Sequence, residues 1–109
     1  MTPFVFMGTP EFSTLVLDRL EEANFLPVLI VTQPDRPCGR GKKLKPSPVA
    51  IWAEEREVLT LKPADCRDQA FIGKLKELAP VFILTAAFGQ ILPLSILEIP
   101  ERGCLNLHA

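Results

Sequence analysis

The stretch Phe4-Val5-Phe6-Met7-Gly8-Thr9-Pro10-Glu11-Phe12 decides the fold. Its consecutive apolar residues, closed by a glycine and a proline, read as a short strand buried on both faces. Thr9 is then a candidate N-cap, with Pro10 at the first helical position, where a missing N–H costs nothing. Phe12, Leu15, Val16, Leu20 and Ala23 recur at helical spacing, which predicts an amphipathic helix over residues 10–23.

Outward from this unit the same alternation repeats. Pro27 to Thr32 is a second apolar, β-branched strand, and residues 33–46, rich in turn formers and charge, read as a long surface loop. Ser47-Pro48 repeats the cap-then-proline signal and opens a helix to about Glu57, with Val49 and Trp52 facing inward. Val58 to Leu61 is a short strand. Asp68 caps a third helix whose buried stripe is Phe71, Ile72, Leu75 and Leu78. Val81 to Ala86 is a fourth strand, Pro93 to Leu97 a helical turn, and Cys104 to Leu107 a fifth strand. Strands that are apolar on both faces and alternate with helices imply a parallel sheet covered on both sides. With right-handed crossovers this predicts an α/β, Rossmann-like doubly wound domain with strand order 3-2-1-4-5. Ligands of such sheets sit beyond the carboxyl ends of the strands, where the winding reverses. That rule selects Gly8-Thr9-Pro10, Ala87-Phe88-Gly89-Gln90 and the segment after His108 before any motif is considered.

The length of 109 residues suits one hydrophobic core, and an apolar fraction of 48% beside 23% charged residues suits a soluble globular domain. The eleven prolines fall at element edges. The N-terminal apolar run lacks a basic flank and is far too short for a signal peptide or membrane span. Cys38, Cys66 and Cys104 are odd in number and widely spaced, which fits reduced thiols in the cytoplasm better than disulfides or zinc pairs. No metal-ligand cluster is visible, and the glycine turn is not a G-x-G-x-x-G dinucleotide turn. The net charge of −1 predicts no overall attraction to nucleic acid. However, five of the twelve basic residues, Arg36, Arg40, Lys42, Lys43 and Lys45, lie in ten positions free of acid. Glycines among them suit phosphate contacts on a mobile loop, although a charge run is also an ordinary solvated surface.

Asn106 and His108 are two apart on a strand, so their side chains leave the same face. An asparagine amide supplies fixed donors, and an imidazole supplies a proton that moves near neutral pH. The pair suits an oxyanion formed when a nucleophile adds to a carbonyl. Spacing alone favours a capped strand end with a hydrogen-bonded core histidine, because fold does not imply function.

The stretch Thr32-Gln33-Pro34-Asp35-Arg36-Pro37-Cys38-Gly39-Arg40-Gly41-Lys42-Lys43-Leu44-Lys45-Pro46-Ser47-Pro48-Val49 carries more weight. Here the chain resembles the methionyl-tRNA formyltransferases. The resemblance continues through Met7 to Ser13, Ala87 to Pro93 and Gly103 to Ala109, in order and at family spacing. It implies a formyl transfer from 10-formyltetrahydrofolate to the amino group of methionyl initiator tRNA. Asn106 and His108 match the family's catalytic asparagine and histidine. Phe88, Gly89, Gln90, Ile91 and Leu92 match the loop that cups the pteridine ring, with Phe88 where relatives commonly carry tyrosine. Arg36, Arg40, Lys42, Lys43 and Lys45 match the insertion that reaches the tRNA acceptor end.

The family's acidic partner for the histidine, and a Ser-Leu-Leu-Pro segment completing the folate pocket, are expected beyond Ala109. The resemblance therefore implies an N-terminal portion of a catalytic domain, inactive alone. The rest of that domain and a C-terminal tRNA-binding domain would lie outside these residues, in a monomeric, cytoplasmic parent enzyme without metal or membrane partners. A formyltransferase for another amine and a non-catalytic Rossmann-like RNA-binding module are the alternatives. Without its later strands, the fifth strand would be an apolar edge.

Overall fold

The computed structural model describes residues 2–108; Met1 and Ala109 lie outside the described residues. Strand β1 (Phe4–Gly8) leads into helix α1 (Glu11–Glu22), then β2 (Leu29–Val31), a pair of strands β3 (Arg36–Cys38) and β4 (Lys43–Lys45), and helix α2 (Pro48–Glu55). β5 (Thr60–Leu61), α3 (Gln69–Leu78), β6 (Phe82–Ala86), α4 (Leu94–Leu97) and β7 (Cys104–Leu107) follow. The main sheet runs β5-β2-β1-β6-β7 with every pair parallel. Leaving aside the β3–β4 ribbon, this is the expected 3-2-1-4-5 order of a doubly wound α/β domain.

The alternation along β1 explains how both faces are filled. Phe4 and Phe6 pack with Leu17 of α1 and with Val49 and Trp52 of α2. Val5 and Met7 pack on the opposite face with Phe71, Ile72 and Leu75 of α3 and Ile96 of α4. All four β1 side chains are at most 1% exposed, each stabilising the fold by roughly 1.5–3 kcal/mol on burial. The winding therefore reverses between β1, the central strand of the sheet, and β6 beside it.

Local signals set the helix ends, with one correction. Ser47 Oγ accepts from Ala50 N at 3.0 Å and Asp68 Oδ2 accepts from Phe71 N at 3.1 Å, so both expected caps form. Thr9 does not cap α1. Pro10 takes the N-cap position without a side-chain bond, because the Thr9 hydroxyl is used elsewhere: it donates to Phe88 O at 2.6 Å. α1 and α2 are clamped together by Trp52, whose Nε1 donates to Asp18 at 2.8 Å, and by Arg56. That guanidinium binds Glu21 at 2.8 Å and stacks 3.9 Å from the Trp52 ring centroid. The Glu21 hydrogen bond also raises the Arg56 pKa.

The second correction concerns residues 33–46. The segment contains an antiparallel ribbon that pairs Arg36 with Lys45, Pro37 with Leu44 and Cys38 with Lys43. Periodicity hid it because both strands are exposed on both faces and bury no apolar stripe. The ribbon turns through Gly39, Gly41 and Lys42, all at positive φ, and Lys42 N donates to Gly39 O at 3.3 Å. A Cβ at either glycine would meet nothing within 4 Å, so backbone conformation alone calls for glycine there.

Candidate active site

The carboxyl edge of the sheet is shaped first by hydrogen bonds between loops. After β6 the chain passes through Ala87 and Gly89, both at positive φ, with Phe88 between them only 4% exposed and packed on the α3/α4 core. Phe88 is thus an anchor that fixes the loop, and its carbonyl is held by Thr9. Ser13, fully buried, donates from Oγ to Ala86 O and accepts from Thr9 N at 3.2 Å. Gln90 closes the loop from the other side. Its Nε2 donates to Gln33 Oε1 at 2.9 Å and to Pro63 O at 3.0 Å, while its Oε1 accepts from Cys66 N at 3.0 Å.

Asn106 enters the same edge from β7. In the parallel register it lies beside Thr85 of β6, whose hydroxyl donates to Asn106 Oδ1 at 2.9 Å. That contact turns the amide so that Nδ2 faces His108 Nε2, 3.1 Å away. An amide nitrogen can only donate, so a bond between the two is made with Nε2 as the acceptor. The strand ends at Leu107, with His108 one residue beyond it, yet the two side chains converge as their spacing predicts. Both are exposed.

A cavity of about 550 Å³ opens where these elements meet. Phe88, Gln90 and Leu92 line it from the β6 loop, Leu97 from α4, and Thr85, Asn106 and His108 from the edge of β6 and β7. It is large enough for a drug-sized ligand, and mixes apolar walls with a few convergent polar groups. A flat heterocycle with polar edges would find packing surfaces at Phe88, Leu92 and Leu97, and polar partners at Asn106 and His108.

The residues singled out from sequence divide clearly. Phe88, Gln90, Leu92, Asn106 and His108 line one cavity, whereas Gly89 and Ile91 do not line it and Ile91 is 95% exposed. The cavity lies by β6 and β7, one strand outward from the β1–β6 reversal. Gly8-Thr9-Pro10 accordingly does not wall it; Thr9 and Pro10 line a separate groove with Gln33, Arg36 and Lys45 at the root of the ribbon. Thr85 was missed from sequence, although a lone hydroxyl near the carboxyl end of an apolar strand was a usable signal. Gln33, 8% exposed, lies in a stretch whose polarity reads as surface loop and gives no sign of burial.

The cross-strand register places Arg36, Lys45 and Lys43 on one face of the ribbon, with Arg36 directly opposite Lys45. Arg40 and Lys42 occupy its tip. Among the described residues none of these five cations has an ion-pair partner; the nearby pair, Lys62 with Asp35 at 2.6 Å, braces the ribbon's root. Like charges set opposite one another without an acid destabilise a strand pair. Cys38, Cys66 and Cys104 are free thiols. Among the described residues there is no cluster of groups able to hold a metal ion, and no helix long and apolar enough to cross a membrane.

Comparison with known proteins matches residues 2–109 to the family model described as formyl transferase. The chain is 50% identical over 105 residues to the methionyl-tRNA formyltransferase of Halalkalibacterium halodurans, covering 96% of this chain and 33% of that protein. The enzyme of the same name from Geobacter metallireducens is 50% identical over 96% of this chain and 34% of its own length. That from Bacillus cytotoxicus is 50% identical over 100% of this chain and 35% of its own. The chain thus spans about a third of the length of the curated relatives it matches.

Proposed function

Because the chain belongs to the formyl transferase family, we propose that it is the N-terminal portion of a methionyl-tRNA formyltransferase catalytic domain. The activity is transfer of a formyl group from 10-formyltetrahydrofolate to the amino group of methionyl initiator tRNA, in the cytoplasm. The observation that carries this reading is the single cavity bringing Phe88, Gln90 and Leu92 together with Asn106 and His108.

In this reading Asn106 and His108 work on the reacting carbonyl. As the amine adds to the formyl carbon, negative charge develops on oxygen, and Asn106 Nδ2 is the fixed donor for it. Thr85 holds the amide in that orientation. Collapse breaks the bond between the formyl carbon and N10 of the folate. The proton lost by the amine is returned to N10, and His108, accepting at Nε2, is the group placed to carry it. Preorganised donors of this kind contribute about 3–4 kcal/mol each. An acidic group near His108 and a further wall for the cavity would come from the part of the parent enzyme outside these residues.

The cationic ribbon is read as the contact to tRNA, through Arg36, Arg40, Lys42, Lys43 and Lys45. Its support is the unpaired like charge of Arg36 and Lys45, a cost that phosphates would offset. Replacing Arg40, Lys42 and Lys43 together by alanine in the full-length enzyme should lower the salt-dependence slope of tRNA binding by about two to three. An unchanged slope contradicts the assignment.

The reading as a whole is tested by incubating the full-length protein with 10-formyltetrahydrofolate and initiator methionyl-tRNA. Formylmethionyl-tRNA is the expected product. Formylation of glycinamide ribonucleotide or an amino sugar, with the tRNA left unmodified, would place the chain in a sister activity. No transfer to any amine, with RNA still bound, would leave a binding module.

A further inference from the structure

The catalytic reading leaves one polar cluster unused. Gln33 and Gln90 are joined side chain to side chain at 2.9 Å, although they belong to loops after different strands, β2 and β6. Pro63 O can only accept and Cys66 N can only donate, so these two backbone groups set the orientation of the Gln90 amide. Its remaining N–H is thereby aimed at the oxygen of Gln33. Gly89 lets the loop come this close: at φ +99° a Cβ there would lie 2.7 Å from Gln33 Nε2.

The two amides face different sites. Gln90 lines the cavity that holds Asn106 and His108, whereas Gln33 lines the groove at the root of the cationic ribbon. Thr9 runs parallel to them, donating to Phe88 O at 2.6 Å and accepting from Gln33 N at 3.4 Å. The ribbon's other leg meets the same base through Thr32 Oγ1 and Ser47 Oγ, 2.6 Å apart. A ligand that orders the ribbon root therefore acts on Gln33, and one that packs on the cavity wall acts on Gln90, through a shared bond.

We propose that Gln33 and Gln90 are a positioning pair that couples the two sites, so that a pteridine-type ligand in the cavity and the phosphodiester backbone of an RNA on the ribbon bind cooperatively. The pair tightens the wall behind one ligand when the other is bound, and by linkage the effect is equal in both directions. The coupling between ligands rests on the formyltransferase reading; the mechanical link between the loops does not.

The test uses the full-length enzyme, with initiator tRNA and the non-transferring probe 5-formyltetrahydrofolate. In the unsubstituted protein, saturating probe should tighten tRNA binding about fivefold. In Gln33→Ala the enhancement should fall to about one, and Gln33→Glu, which keeps an oxygen facing the Gln90 amide, should restore it. Enhancement that survives in Gln33→Ala, or none in the unsubstituted protein, overturns the coupling. Hydrogen exchange at the Cys66 amide supplies a readout independent of both ligands. It should accelerate about tenfold in Gln33→Ala, because Gln90 loses one of its three partners. Unchanged protection there overturns the positioning role whatever the ligands do, whereas faster exchange without binding of either ligand would implicate the functional reading and not the link.

Discussion

Two polar clusters sit at the carboxyl edge of this sheet, and they are of opposite kinds. Around Ser13, Thr9, Gln33 and Gln90 the polar groups are buried or half-buried and bonded to backbone from neighbouring loops. Around Asn106, His108 and Thr85 they are bonded mainly to one another and open to solvent. The first cluster shapes loops, and the Gln90 and Ser13 donors, already spent, have little left to offer a ligand. The second contributes little to the fold, and its open side is what a ligand would meet. Chemistry belongs where polar groups converge without being consumed.

Substitutions should therefore separate the two clusters by what they damage. The largest effect is expected on activity. Asn106→Ala or His108→Ala in the full-length enzyme should slow formyl transfer by about 10²–10³-fold, at little cost in stability because their side-chain bonds run to one another and to Thr85 and hold no loop. A large loss of stability instead would erase the contrast. Next, Ser13→Ala should cost roughly 1–3 kcal/mol in urea unfolding, since it removes a partner from Ala86 O, in a buried bond, and from Thr9 N, in a half-buried one. A change within about 0.5 kcal/mol would mean that the buried cluster does not hold the loops.

The smallest effect is a pH dependence beneath the buried cluster. Burial first, and the nearby Asp65 charge second, push the Cys66 thiol up from 9.0 to about 11. Between those values the unfolded chain loses a proton that the folded chain keeps, so stability falls as pH rises through this window. Cys66→Ala should remove that part of the alkaline slope. An identical slope in the variant would show that Cys66 plays no part in it.

Much of this was legible in the sequence because it rests on local rules. The apolar runs of β1 and β6, the caps at Ser47 and Asp68, and the two-residue spacing of Asn106 and His108 all depend on neighbours along the chain. What escaped depends on partners far away. Thr9 reads as a helix cap until Phe88 O, 79 residues on, takes its hydroxyl. Gln33 reads as loop until Gln90, 57 residues on, turns to meet it. The β3–β4 ribbon escaped for another reason: its pairing is made by turn geometry and not by burial, so it leaves no alternating apolar signal. Ile91 shows the converse. Its place in the motif suggests a wall residue, but the loop it sits on turns it out to solvent.

In the proposed reaction Asn106 and His108 act on one developing charge as a unit. Single-turnover formyl transfer, with both substrates prebound, checks this in the unsubstituted full-length enzyme, the two alanine variants and their double variant. Groups that act together are not additive, so the double variant should be slowed little more than the worse single one, by about 10²–10³-fold. A double variant within threefold of the unsubstituted enzyme, or losses that simply multiply, would contradict it.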